Sequence, residues 1–92
     1  MIRSFAHKGL EAFFRSGSQA GIQPGHSHRL GRQLAHLEQA QNARDMNVPG
    51  WSLHRLKGRL SGFWAVSVSG NWRLTFRFED GDAILVDYRD YH

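Results

Sequence analysis

The sequence contains no cysteine, and this absence excludes disulfide bonds and thiolate chemistry. It also lacks any run of about 20 apolar residues, the length that a membrane-spanning helix needs. Residues 1–8 have no apolar stretch of the kind found in secretory signal peptides, so we expect a cytoplasmic protein. Proline is scarce, with two residues, while 40% of the 92 residues are hydrophobic. Disorder is therefore not expected, and the length predicts one domain over residues 1–92.

Acidic residues are scarcer than basic ones. Asp and Glu number 8 against 12 Lys and Arg, which gives a formal charge of +4 and a pI of about 10.4. The cations are mostly arginine, which binds phosphate in a bidentate manner and stacks on bases. They dominate residues 46–78, which hold no acid, whereas the acids gather in residues 79–92. This distribution predicts a nucleic-acid partner, and a soluble domain with an unspecific basic face is the alternative.

The first half of the sequence has the periodicity of amphipathic helices. A first helix is predicted to end near Gly17, and its apolar stripe consists of Leu10, Phe13 and Phe14. Ser27 is a plausible N-cap for a second helix that extends to about Ala43. The apolar face of this second helix consists of Leu30, Leu34 and Leu37.

From residue 51 onward the hydrophobic period changes to two. Residues 63–68 and 71–78 alternate between apolar and other side chains, which predicts two strands. Ser69-Gly70 and Asp80-Gly81 stand where tight hairpin turns are needed, because Gly and Asp tolerate positive φ. An antiparallel sheet is therefore predicted for the second half of the chain.

Residues 83–86 form a strongly apolar further strand, and residues 2–5 predict a short edge strand. The whole pattern predicts an α+β fold in which two N-terminal helices pack on one face of a twisted, mainly antiparallel sheet. Alternation places Arg73 and Arg77 on the other face, with Cα atoms about 13 Å apart. We predict that these arginines bind two phosphates of an extended strand, and a solvated sheet face is the alternative for Arg77.

Titratable residues gather at two places near this predicted face. Asp90, Tyr91 and His92 follow the apolar strand, and each side chain can move or orient a proton. His54 and Lys57 lie on or just after the first long strand of the predicted sheet. Because twisted sheets curl, we expect both groups to meet over the arginine-bearing face. This arrangement predicts a catalytic site that includes the C-terminal residues.

No metal or other cofactor is expected. His26 and His28 stand at the start of the second predicted helix, but their i, i+2 spacing suits helical chelation poorly. Neither cysteine nor an evident third ligand accompanies them. A metal site at these two histidines is therefore not expected.

Five segments of the sequence match the motifs of a known family in the same order. They are Met1-Ile2-Arg3-Ser4-Phe5, Leu53-His54-Arg55-Leu56-Lys57-Gly58, Asn71-Trp72-Arg73-Leu74-Thr75-Phe76, Gly81-Asp82-Ala83 and Asp90-Tyr91-His92. With them the sequence resembles the HigB-type toxins of the RelE superfamily over essentially its full length. The resemblance implies a RelE-like fold, in which a microbial-ribonuclease-like sheet carries two helices.

The resemblance also implies a function. HigB-type toxins are the toxin half of bacterial type II toxin–antitoxin pairs, so we expect an endoribonuclease that cleaves mRNA in the ribosomal A site. The expected reaction is transesterification by the 2′-hydroxyl. The expected partners are a HigA-like helix-turn-helix antitoxin, the ribosome with its mRNA, and operator DNA through the antitoxin complex.

The family motifs imply particular roles for residues of this chain. The implied catalytic residues are His54, Lys57, Arg73, Asp90, Tyr91 and His92. Apart from these motif roles, RNA contacts are expected from Arg55, Arg59, Asn71 and Arg77, which lie in the basic half of the sequence. Both histidines of the catalytic set are expected to share acid–base catalysis, and its arginine and lysine to stabilise the developing charge. Asp90 is expected to orient a histidine, and Tyr91 to stack on a base or hydrogen-bond the phosphate.

Two other functions stay open. The ParE branch of the same superfamily poisons gyrase with this fold but without the ribonuclease residues, and the presence of His54, Lys57 and His92 argues against it. A non-catalytic RNA- or DNA-binding domain needs only the basic face. Substitution of the histidines distinguishes these functions, because a nuclease loses its activity and a binding domain does not.

Overall fold

The computed structural model describes residues 1–91 and shows two helices followed by a four-stranded sheet. The helices are α1, Lys8–Ser16, and α2, Ser27–Gln39. Across residues 1–91 no helix has both the length and the apolar character needed to cross a membrane. The strands are β1, His54–Arg55, β2, Trp64–Ser69, β3, Trp72–Glu79, and β4, Asp82–Asp90. They lie in the order β1-β2-β3-β4 with antiparallel pairing throughout, so the predicted α+β architecture is confirmed.

Helix α1 ends at Ser16, next to Gly17 as the sequence predicts, and begins after a histidine cap that was not predicted. The ring Nδ1 of His7 accepts a hydrogen bond from the backbone N–H of Leu10 at 2.9 Å, which caps the N-terminus. At the other end Gly17 adopts the left-handed conformation with φ of 80°, and its N–H donates to the carbonyl of Phe13. Leu10 is buried and Phe13 packs partly against the core, so the apolar stripe faces inward.

Helix α2 begins differently from the prediction. A 3₁₀ turn, Pro24–His26, runs directly into the helix, so His26 occupies the cap position and Ser27 is already helical. The Ser27 hydroxyl donates to the carbonyl of Pro24 at 3.2 Å. The prediction of Ser27 as N-cap is therefore wrong, because the preceding 3₁₀ turn takes over the start of the helix.

Helix α2 also ends early, at Gln39 instead of near Ala43. The Asp45 carboxylate accepts the backbone N–H groups of residues 41–42 at 2.9 and 3.3 Å. These side-chain bonds replace helical ones and help to form a separate 3₁₀ turn, Ala43–Met46. The apolar side chains of that turn remain in the core although the helix has ended.

Both hairpin turns of the sheet lie where the sequence predicts them. Asp80 and Gly81 have φ of 53° and 83° between β3 and β4, and Gly70 has φ of 54° between β2 and β3. The prediction of a long first strand is wrong, since β1 contains two residues, His54 and Arg55. The predicted N-terminal edge strand is reduced to two isolated bridges, which run parallel to β4.

One face of the sheet, here called the helix face, packs against both helices. The core cluster shared by the helices and the sheet includes Leu10, Leu30, Leu34, Leu37, Val66, Leu74, Phe76, Val86 and Tyr88. Apolar residues occupy every second position of β3, so the residues between them point to the opposite face. That opposite face, here called the arginine face, carries Arg73, Thr75 and Arg77 on β3. The candidate catalytic residues are placed relative to these two faces.

Candidate active site

Residues from all four strands share the arginine face because the strands pair in register. One row across the sheet consists of His54, Ala65, Thr75 and Asp87. The neighbouring row consists of Ser67, Arg73 and Arg89. Directly opposed residues of antiparallel strands point to the same face. From the spacing of strands and residues, the Cα atoms of His54 and Arg73 are about 12 Å apart.

His54 is exposed on β1, and its ring is oriented by the backbone just before it. The ring Nδ1 lies 2.9 Å from the carbonyl oxygen of Ser52. A carbonyl oxygen only accepts, so Nδ1 carries the hydrogen and Nε2 of the neutral ring keeps its lone pair. Ser52 presents this carbonyl from a left-handed conformation with φ of 53°. The contact with Ser52 therefore orients the ring so that Nε2 is the proton acceptor of its neutral form.

Arg73 is half-buried in the second row, and the adjoining turn holds its guanidinium. One terminal nitrogen, Nη1, donates to the carbonyl oxygens of Gly70 at 2.7 Å and Trp72 at 3.0 Å. Neither acceptor carries a formal charge, so these bonds orient the cation without neutralising it. A guanidinium has five N–H donors, and the donors on its other two nitrogens match the geometry of a phosphate.

The other charges of the arginine face differ in how they are compensated. Arg89 donates to the carboxylate of Asp87 at 2.8 Å, so this pair carries no net charge. Arg77 is exposed, and its guanidinium carbon lies 5.6 Å from the ring centre of Phe63, which leaves its charge intact. Positive charge for a phosphate therefore comes from β3, through Arg73 and Arg77.

Two buried hydroxyls have no hydrogen-bond partner among residues 1–91, namely Thr75 Oγ1 and Tyr91 OH. The N–H of Tyr91 donates to the carbonyl of Asn71 at 2.8 Å, which extends the ladder between β3 and β4 by one step. Continued alternation from Arg89 places Tyr91 on the arginine face, together with Thr75. Both hydroxyls thus retain hydrogen-bonding capacity that the fold itself does not use.

Asp90 lies on the opposite side from Tyr91. It stands directly across from Trp72, whose ring stacks on Tyr88 with centroids 4.5 Å apart. The register therefore places Asp90 on the helix face, at the edge of an aromatic cluster. His92 lies outside the described residues.

Tyr88 joins β4 to the segment that precedes α2. Its hydroxyl oxygen accepts the N–H of Gln23 at 3.3 Å and lies 2.6 Å from Nδ1 of His26. The direction of the bond between this hydroxyl and His26 Nδ1 is set by the tautomer of the imidazole. Burial raises the pKa of Tyr88, the Gln23 N–H lowers it, and the charge of Asp90 raises it further. His26 is therefore a structural hydrogen-bond partner of Tyr88.

Lys57, Arg59 and Asn71 lie in the loops that connect the strands of the sheet. Lys57 and Arg59 are exposed at the 3₁₀ turn Gly58–Leu60, which follows β1. Asn71 is exposed at the turn between β2 and β3. Lys57 is three residues from His54 in the chain, so the two lie at the same edge of the sheet.

Arg55 points away from His54. It stands opposite Trp64, and Trp64 stands opposite Phe76 of the core, so this row belongs to the helix face. The guanidinium carbon of Arg55 lies 5.5 Å from the ring centre of Trp64. The structure therefore brings His54, the β3 arginines and Tyr91 to one face and separates Arg55 and Asp90 from them.

Asp87 and Arg89 also belong to the arginine face, although they were not predicted from the sequence. The available signal was their spacing, since Asp87, Arg89 and Tyr91 follow one another at intervals of two residues. This period does not extend back through residues 83–86, because the pairing register shifts between Thr75 and Arg77 of β3. Leu85 absorbs the extra residue of β4 with φ of 53°.

The arginine face can support chemistry at a phosphodiester. His54 supplies an exposed imidazole with Nε2 as proton acceptor. Arg73 and Arg77 supply cations that stabilise a phosphate on which negative charge develops. These elements match two requirements of RNA transesterification, the removal of a proton from the 2′-hydroxyl and the stabilisation of the phosphorane.

A comparison with protein-family models and a comparison with individual proteins give the same family. The family model for RelE-like toxins of the HigB type II toxin–antitoxin system matches residues 3–92. The chain is 39% identical to the endoribonuclease HigB of Proteus vulgaris over 92 residues, which is the full length of both chains. It is 33% identical to toxin HigB-1 of Vibrio cholerae serotype O1 over 94 residues, covering all of this chain and 98% of that one. The chain therefore belongs to the HigB-like toxins, the RelE-like toxins of type II toxin–antitoxin systems.

Proposed function

We propose that this protein is an endoribonuclease that cleaves mRNA in the ribosomal A site and thereby inhibits translation. The observation that carries the proposal is the placement of His54, oriented as a proton acceptor, on the same sheet face as Arg73 and Arg77. The name of the Proteus vulgaris relative, an endoribonuclease, supports the same activity.

The proposed reaction is an RNA transesterification without a metal ion. A base removes the proton of a 2′-hydroxyl, and the 2′-oxygen attacks the adjacent phosphorus. A 2′,3′-cyclic phosphate forms, and the 5′-oxygen of the next nucleotide leaves with a proton from an acid. His54 and His92 share these two proton transfers at cellular pH. Asp90, two residues before His92 in the chain, is proposed to orient that histidine from the helix face, so it is not itself part of the arginine face.

The remaining residues of the proposed site bind RNA and stabilise charge. Arg73 and Lys57 stabilise the phosphorane through a guanidinium fork and an ammonium group. Tyr91 stacks on a base or hydrogen-bonds the phosphate from the arginine face. Further contacts to the RNA backbone come from Arg59, Asn71 and Arg77. Arg55 is left out of this set, because it lies on the helix face.

Membership in a type II toxin–antitoxin family implies an antitoxin partner. We propose that this antitoxin is a HigA-like helix-turn-helix protein, that its complex with the toxin binds operator DNA, and that the free toxin acts on the ribosome in the cytoplasm. In this proposal residues 1–92 act as one domain. The strongly basic composition supports a ribosomal target, because RNA phosphates dominate such binding.

The test is to map 5′ ends of a reporter mRNA in a purified translation system, with and without ribosomes. Wild type is compared with His54→Ala and His92→Ala, and His28→Ala serves as the matched control. His28 is exposed on α2, outside the proposed site. We expect cuts within translated codons that require ribosomes, persist in His28→Ala, and fall by about 100-fold or more in the other two variants.

Three results would contradict the proposal. Wild-type cleavage by His54→Ala or His92→Ala removes that histidine from the acid–base pair. Cleavage of naked RNA at the same rate removes the dependence on ribosomes. The absence of any cut by folded wild-type protein, together with inhibition of DNA gyrase, assigns the protein to a ParE-like function.

A further inference from the structure

A groove of about 540 Å³ opens on the helix face beside β1, separate from the arginine face. It is lined by Asn42, Ala43, Arg44, Arg55, Gly62, Trp64 and Phe78. Its volume lies within the range of small-molecule sites, about 300–1,000 Å³. The lining combines two guanidinium groups, two aromatic rings and one amide, with no carboxylate.

Arg55 and Trp64 form a cation–π pair in this groove, here called the Arg55–Trp64 platform. The guanidinium carbon of Arg55 lies 5.5 Å from the centre of the Trp64 ring, so the ring supports one side of the cation. Both side chains come from directly opposed positions of β1 and β2, which holds the pair in place. Guanidinium planes and aromatic rings are the surfaces on which unpaired bases stack.

The lining of the groove also has an excess of positive charge. Neither Arg44 nor Arg55 forms one of the ion pairs found within residues 1–91. Asp45 is next to Arg44 in the chain, but its carboxylate accepts the backbone N–H groups of residues 41–42. Two arginines beside an aromatic wall thus provide a local field that attracts an anion.

The groove and the proposed cleavage site lie on opposite faces of the sheet, at the same edge strand β1. His54 and Arg55 are consecutive residues of β1, with Cα atoms about 3.8 Å apart, and their side chains point to opposite faces. Since β1 is the edge strand of the sheet, no further strand separates the two faces at this point. An RNA chain that passes His54 can therefore place a flanking nucleotide in the groove.

We propose that the Arg44–Arg55 groove binds one unpaired nucleotide of RNA. This inference takes from the proposed function only that the ligand is RNA. The base stacks on the Arg55–Trp64 platform, and Arg44 binds a phosphate. An aromatic ring and a guanidinium side by side favour a nucleotide over an acidic protein segment, because a carboxylate uses the positive charge but has no base to stack. The nucleotide comes either from the mRNA beside the cut or from ribosomal RNA.

The test measures binding without cleavage. The probe is a fluorescein-labelled 2′-O-methyl oligouridylate, whose blocked 2′-oxygen prevents transesterification, and the readout is fluorescence anisotropy at several salt concentrations. We expect the double variant Arg44→Ala, Arg55→Ala to bind about tenfold more weakly or worse. The slope of log K against log salt should fall by about 0.7 for each lost phosphate contact. The matched control, Lys8→Ala, Arg32→Ala, removes the same charge from exposed positions of α1 and α2 that form none of the ion pairs within residues 1–91, and should change affinity by about twofold or less.

A conservative variant separates stacking from charge. Arg55→Lys keeps the cation but removes the plane, so we expect a large loss of affinity with little change in the salt slope. Binding of Arg55→Lys at wild-type strength would overturn the stacking platform. Equal losses of RNA affinity in the groove variant and the control would show a general effect of charge. That result would overturn the proposal that the groove is a binding site.

Vacant ribosomes distinguish the two sources of the nucleotide. A loss of ribosome binding in the groove variant without mRNA supports ribosomal RNA, and a loss confined to the oligonucleotide supports mRNA. If the groove variant loses binding to the purified antitoxin while its RNA binding is unchanged, the proposal is overturned and the groove is a protein-binding surface. Because these readouts need no cleavage, an inactive wild-type protein would refute the proposed nuclease while leaving the groove testable.

Discussion

The substitution Tyr88→Phe should measure how strongly β4 is tied to the segment before α2. The ring of Tyr88 is 4% exposed, and its stacking on Trp72 is unchanged by the loss of the hydroxyl. The hydroxyl, however, is bonded to His26 at 2.6 Å and to the N–H of Gln23 at 3.3 Å. Its removal leaves a half-buried imidazole nitrogen without its partner, while the more exposed Gln23 N–H can turn to water. We expect a loss of about 1–2 kcal/mol in the free energy of unfolding.

The assay is urea denaturation near neutral pH, followed by tryptophan fluorescence. In thermal unfolding each kcal/mol corresponds to about 4–8 °C for a chain of this size. Tyr91→Phe is the matched control, because the Tyr91 hydroxyl is buried without a hydrogen-bond partner within residues 1–91. Equal stability losses in the two variants would refute the role given to the bond between Tyr88 and His26.

The same variant tests the direction of the Tyr88 pKa. Burial raises this pKa above the ordinary value of 10.0, the charge of Asp90 raises it further, and the hydrogen bond from the Gln23 N–H lowers it by less. The folded state therefore favours the neutral phenol. The resulting stability is fully present below about pH 10 and decreases as the pH rises through the folded-state pKa. The stability difference between wild type and Tyr88→Phe should therefore shrink above about pH 10. A difference that stays constant up to about pH 11 would contradict the assigned shift.

Three further predictions concern the core, a close backbone contact and the arginine face. Phe76→Ala should lower the free energy of unfolding by about 3–5 kcal/mol, because Phe76 is fully buried, and a loss below about 1 kcal/mol in urea denaturation would contradict its place in the core. Gly21→Ala should lower the free energy of unfolding by about 1–3 kcal/mol, because its new Cβ would lie 2.5 Å from the Gly9 Cα. The control Gly25→Ala should lower it much less, because a Cβ at that position meets nothing within 4 Å. Urea denaturation of the two glycine variants should separate them, and equal midpoints would argue against the close contact. Arg73→Lys should fold normally but reduce cleavage of mRNA about tenfold or more, because an ammonium cannot replace the guanidinium fork; an unchanged rate in the translation assay would exclude that role.

Features that depend on neighbouring residues were predictable from the sequence. The stripe of α1 and its stop at Gly17 follow from local spacing and from the left-handed conformation that Gly adopts readily. The turn at Asp80 and Gly81 follows from the same conformational preference. The end of α2 was not predictable by spacing, because the Asp45 carboxylate competes for backbone N–H groups that a continued helix would use.

The sequence by itself determined the α+β class, the two helices, the alternating strands and the residue types from which a nuclease site is proposed. Only the tertiary structure decided which face each of those residues occupies. The register of β1 against β2 places His54 and Arg55 on opposite faces, and the shift at Leu85 sets the phase of Asp87, Arg89 and Tyr91. The physical reason is that register depends on hydrogen bonds between distant strands, and a slip of one residue exchanges the two faces. The pairing of Arg55 with Trp64, and the approach of Arg44 to the same groove, therefore become visible only in the folded chain.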